Sequence, residues 1–280
     1  QGRRAAVTDL AILHVCSPNI GEAQILSVVN ATKALCGYLS VFVIGTSAVP
    51  PIGAHVSNVS VPWMNERQRD QAQIDKTVRE LEGFLAGTGI PYNVESAYTE
   101  VFSVDNEVDR RARLADLVMI GADLLGDQNT LEAVLDGAWF HADVPVLFDP
   151  AASLVFDNPT VMIAWQETAE ASSAVRASVP LLKLAGSVHI VIVDDNRDLR
   201  DPAPGLLSYL SSRGVENLSA QVVPRNDRLV SHVLDDHAER VGANLVVMGA
   251  YGHARLREWV FGGVTRSVVQ HLTRPTFMAR

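Results

Sequence analysis

The glycines near the C-terminus stand where backbone that approaches a phosphate would need them. Leu245-Val246-Val247-Met248-Gly249 reads as a strand, Ala250-Tyr251-Gly252-His253 as the loop leaving it, and nine residues separate Gly252 from Gly262-Gly263-Val264-Thr265. A strand that runs through a glycine loop into a helix turns free backbone amides toward an anion. Glycine also removes the side chain that would hold a phosphate away. In this reading Gly249 and Gly252 cradle the anion, Gly262 and Gly263 let a second segment close in, and the Thr265 hydroxyl donates to a phosphate or ribose oxygen. His253, Arg255 and Arg257 follow the loop and either reach phosphate or form a solvated face. Glycines at strand-to-helix turns can also serve the turn alone, so an inherited scaffold is the competing reading.

Other chemistry is thinner. His14 and Cys16 alternate on one strand and so share a face, the arrangement of a thiolate beside a base, yet a small cysteine in an apolar strand is more often core. Asp194, Asp195 and His189 offer an incomplete metal set. We therefore assign neither a catalytic residue nor a metal ligand. Trp139, Trp165 and Trp259 read as packing, with Trp165 also able to stack on a base.

These residues need a scaffold, and the chain supplies it by alternation. Short β-branched runs at 10–15, 39–44, 92–97, 116–120 and 144–148 are separated by helical patterns, and the programme repeats at 161–165, 188–193, 219–223, 245–248 and 275–279. Such alternation is the signature of βαβ units in a parallel sheet, hence an α/β fold. Between the first two strands Ile25, Val28, Val29 and Cys36 fall at helical spacing with Gly37 as the expected C-cap. A second helix is expected over 66–86, after a proline-bearing loop at 46–65.

The repeat is direct. Ala115-Asp116-Leu117-Val118-Met119-Ile120-Gly121 aligns with Ala243-Asn244-Leu245-Val246-Val247-Met248-Gly249, 128 residues on. With 280 residues, two domains are expected, 1–152 and 153–280, parted where Asp149-Pro150 and Asn158-Pro159 break regular structure. The composition, 48% hydrophobic and 20% charged, is that of a globular chain, and no apolar run reaches the roughly 18 residues of a membrane helix. A net charge of −9 without a basic block argues against nucleic acid. Two cysteines without CxxC spacing and no secretory signal in 1–8 point to a reducing cytoplasm.

On these residues the chain resembles the universal stress protein family, whose nucleotide-binding members carry G-x2-G-x9-G-Ser/Thr after the fourth strand. Gly249, Gly252 and Gly262 fit that spacing, while Gly263 takes the Ser/Thr place and Thr265 follows two residues later. The resemblance extends over both halves and implies tandem Rossmann-like domains, each a five-stranded parallel sheet flanked by helices. It implies an adenine nucleotide, ATP or AMP, in the C-terminal copy, with no shared catalytic reaction. By the same resemblance the base meets Ala164, Trp165 and Gln166 at the end of the first strand, Gln166 standing where the family has aspartate. Ile192 supplies a backbone contact, and Met248, Gly249, Gly252, His253, Gly262, Gly263, Val264 and Thr265 hold the phosphates. In the N-terminal copy Leu124 replaces the second glycine, Asp123 adds negative charge, Asp136-Gly137 replaces the later glycine pair and Cys16 takes the base position, so that site is expected to be degenerate. The resemblance also implies an intrachain pseudo-dimer through the fifth strands, 144–148 and 275–279, and leaves a homodimer open. Three functions follow: a nucleotide-binding stress-response regulator, a weak ATP hydrolase, or an interaction scaffold without nucleotide.

Overall fold

The computed structural model describes residues 10–47, 61–194, 202–250, 268–269 and 271–280. The chain forms two compact units, Gln1–Val144 and Pro145–Arg280.

In the first unit β1 (Ala11–Cys16) leads through α1 (Glu22–Ala34) to β2 (Tyr38–Ser47), then α2 (Val61–Ala86) and β3 (Tyr92–Glu100). It continues with α3 (Val104–Ala112), β4 (Leu117–Gly121), the single turn α4 (Ala122–Leu125), α5 (Gln128–Leu135) and a π-helical segment, Asp136–His141. The four strands are parallel in the order β3-β2-β1-β4. Nearly every residue of β1 and β4 is buried, without alternation, as befits strands covered by helices on both faces. Helix α1 buries Ile25, Val28 and Val29 as its spacing requires, but Cys36 lies beyond its end and takes the left-handed conformation at φ 49°. The glycine beside it answers a different need: a Cβ on Gly37 would stand 2.5 Å from the Leu10 carbonyl oxygen, which accepts from the Tyr38 amide.

The second unit opens with β5 (Val146–Asp149) and proceeds through β6 (Thr160–Ala164), α6 (Ala169–Leu182), β7 (Ser187–Val193), α7 (Pro204–Ser212), β8 (Leu218–Val223), α8 (Val230–Arg240), β9 (Leu245–Gly249) and β10 (Thr276–Ala279). Its order is β5-β10-β9-β6-β7-β8. Strands β6 to β10 are mutually parallel, whereas β5 runs antiparallel to β10, pairing Phe148 with Thr276, Leu147 with Phe277 and Val146 with Met278. The strand that the sequence assigns as fifth of the first copy falls in the second unit by its contacts, and its four buried residues lie along β10. Helix α6 packs on β9 and β10. Leu234 and Ala238 of α8 pack with Met162, Val191 and Val246.

Candidate functional site

In the second unit β7 and β8 extend the sheet to one side of β6 while β9 and β10 extend it to the other. Strand order therefore reverses between β6 and β9, and the crevice beyond their carboxyl ends is the usual ligand position of an open α/β sheet. The expected base-contact residues lie at the carboxyl ends of β6 and of its other neighbour, β7. Ala164 is in register with both Met248 and Val191, the Trp165 amide donates to the Val191 carbonyl at 2.8 Å, and Ile192 follows, 5% exposed. Gln166 is exposed, and Gly249 pairs with Ala279 on its other side. Gly252, His253, Gly262, Gly263, Val264 and Thr265 lie outside the described residues, as do Arg255, Arg257, Asp195 and Trp259.

A cleft of about 420 Å³ opens beside Trp165, between the first turns of α6 and α7. Trp165, Val175, Leu206 and Tyr209 give it apolar and aromatic walls, and Glu167, Ser172 and Arg176 give it a polar side. Its size lies in the range of small-molecule sites. The Arg213 guanidinium stacks on the Tyr209 ring at 5.3 Å, and Ala203, which precedes the Pro204 start of α7, lines the cleft in a left-handed conformation at φ 55°.

Gly249 has a local reason to be glycine. A Cβ there would lie 2.5 Å from the Ala171 nitrogen and 2.8 Å from the Glu170 carbonyl carbon, so the first turn of α6 rests directly on this residue. That turn is capped by Thr168, whose hydroxyl oxygen accepts from the Ala171 amide at 3.2 Å.

The first unit has the same crevice, between β1 and β4, and fills it differently. The Asp123 carboxylate accepts from the Ser17 amide at 2.6 Å, and the Gln24 side-chain oxygen accepts from the Ala122 amide at 3.3 Å. Where α6 presents Ala171, α1 presents Gln24, whose side chain occupies the space a Cβ on Gly121 would need. Gly137 lies in the π-helical segment and serves packing, since a Cβ there would come 2.5 Å from the Asp105 carbonyl oxygen. His14 and Cys16 do not form a couple. The His14 Nδ1 bonds the Met119 carbonyl at 3.0 Å, and the Cys16 thiol donates to the Phe42 carbonyl at 3.7 Å. Burial, with the Asp123 charge adding to it, pushes the Cys16 thiol well above its usual pKa, opposite to the needs of a nucleophile. The His189 ring bonds the Ser219 hydroxyl at 2.9 Å, and among the described residues no three His, Cys, Asp or Glu side chains gather as a metal set.

Comparison with known proteins agrees with this fold. The Universal stress protein family model matches residues 225–280, a stretch holding α8, β9, the glycine-loop residues and β10. Among solved structures, a universal stress protein from Archaeoglobus fulgidus superposes with a TM-score of 0.67 over 96% of each chain at 16% identity. A protein of unknown function from Pseudomonas aeruginosa PAO1 superposes with a TM-score of 0.59 at 14% identity, covering 98% of this chain and 93% of its own. The cytoplasmic domain of a prokaryotic cation chloride cotransporter shares the fold at a TM-score of 0.52 and 12% identity, over 97% of this chain and 95% of its own. No curated protein matches.

Proposed function

We propose that this chain, whose C-terminal unit carries a universal stress protein domain, is a non-catalytic stress-response regulator that binds an adenine nucleotide, ATP or AMP, in that unit. The observation that carries the reading is the cleft beside Trp165, which follows β6, one of the two strands between which strand order reverses, within the unit whose loop holds the family's glycine spacing. In this reading the base enters between Trp165 and Tyr209 and meets Gln166, whose amide both donates and accepts. The backbone at Ile192 borders it. Met248, Gly249, Gly252, His253, Gly262, Gly263, Val264 and Thr265 hold the phosphates, and no metal is required. The functional domains are 1–152 and 153–280, acting in the cytoplasm, with a homodimer as a further level of assembly.

Calorimetric titration of ATP and AMP into the full chain tests the reading. Trp165→Ala is expected to weaken binding roughly tenfold, as loss of one base–aromatic stack would. Equal affinity in the variant would remove the base from this cleft. The interaction-scaffold reading stands second, because the contact between Gly249 and α6 accounts for that glycine without a ligand.

A further inference from the structure

We propose that Asp123 is a built-in anion that closes the crevice of the first unit, taking the place a phosphate-bearing ligand would occupy. The two walls of that crevice are the turn after β1 and the turn after β4, which meet where the order β3-β2-β1-β4 changes direction. An anion entering there would take backbone amides of these turns. One amide of each turn is already bonded by a side-chain oxygen from across the crevice or beside it, Ser17 by Asp123 at 2.6 Å and Ala122 by Gln24 at 3.3 Å. The turn after β1 is also held from its other side: the Pro18 carbonyl accepts from the Thr77 hydroxyl at 2.7 Å and from the Gln73 amide at 3.4 Å. Beneath these contacts Cys16 is fully buried and Gln24 is 6% exposed.

A carboxylate bonded to a backbone amide at this distance is a charge-assisted contact, stronger than the neutral bonds around it. It arrives with the chain instead of by diffusion, so the crevice is closed without a ligand. The second unit has Ala171 where Gln24 stands, and its crevice lies beside the open cleft. The inference concerns the unit to which no ligand is assigned, so it holds or fails independently of nucleotide binding in the second unit.

Cys16 reports the closure. In full-length protein carrying Cys36→Ser, which removes the exposed thiol, Cys16 is the remaining cysteine. Its reaction with a small thiol reagent is expected to accelerate roughly tenfold to hundredfold in Asp123→Ala, the change in a local opening equilibrium when one charge-assisted hydrogen bond is lost. Asp123→Asn removes the charge but keeps an oxygen for the Ser17 amide, and is expected to fall between the two. Equal rates for Cys16 in all three proteins, or equal rates in Asn and Ala, would overturn the proposal. Amide exchange in the unmodified chain gives a second test that needs no variant. The Ser17 and Ala122 amides are expected to be protected without ligand and unmoved by inorganic pyrophosphate; rapid exchange that pyrophosphate slows would overturn the proposal.

Discussion

Replacing Gly249 by alanine asks whether the first turn of α6 needs this glycine. The added Cβ would meet backbone atoms, the Ala171 nitrogen at 2.5 Å, the Glu170 carbonyl carbon at 2.8 Å and the Ala171 Cα at 3.0 Å, none of which can rotate away. Ordinary contact begins at 3.4 Å, so the N-terminus of α6 must withdraw by about 0.9 Å, the difference from the shortest of these distances. That helix buries Ala171, Ala174, Val175, Leu181 and Leu182, and withdrawal loosens them together. Overpacking of this kind costs about 1–3 kcal/mol, against which alanine recovers about 0.4–1 kcal/mol by restricting the unfolded chain. A net loss of about 1–2 kcal/mol is expected, read from the urea midpoint at unchanged slope. The control is Gly126→Ala, at helical φ −80° with nothing within 4 Å of the new methyl, which is expected to be neutral or slightly stabilising. If Gly249→Ala proves as stable as Gly126→Ala, the helix contact does not require glycine, and its presence must then be explained by the ligand.

The atoms nearest to an alanine Cβ at Gly121 belong to the side chain of Gln24, so Gly121→Ala is expected to cost less than Gly249→Ala in the same urea experiment, since a side chain can yield where a helix backbone cannot. Thr168→Ala removes the acceptor of the Ala171 amide and is expected to cost about 1 kcal/mol of stability in the second unit. The His237 ring is 1% exposed, between the Gln221 amide at 2.6 Å and the Arg240 guanidinium at 3.4 Å. Burial first, then the Arg240 and His189 charges, lower its pKa from the usual 6.5. The unfolded chain therefore takes up this proton first, so the stability is present above pH 6.5 and declines as pH falls from there toward the folded value. Urea midpoints measured across that window are expected to fall with pH in the parent protein and to flatten in His237→Gln.

Much of the fold was readable because strands covered on both faces must be continuous apolar runs. Each strand begins within two residues of the run that announced it, and β2 and β3 run three residues further at their C-terminal ends. The direction in which β5 pairs with β10 was not readable, because a short apolar run carries no sign of it. Gly37 was expected as the C-cap of α1, but local spacing carries no sign of the Leu10 carbonyl against it. The candidate site divides similarly. Ala164, Trp165, Ile192, Met248 and Gly249 were named through the family resemblance and lie at the carboxyl ends of β6, β7 and β9, whereas the cleft walls Val175, Leu206 and Tyr209 come from two helices whose approach no motif records. The charge of Asp123 was legible, but its partner is a backbone amide 106 residues away, and an amide leaves no mark in a sequence.

Calorimetric titration of ATP into the full chain, with Gly252→Asp measured beside it, tests the central claim most directly. One equivalent bound per chain with micromolar affinity, abolished when a carboxylate stands at position 252, is the predicted result. No binding to the parent protein, or binding that Gly252→Asp leaves intact, would contradict it.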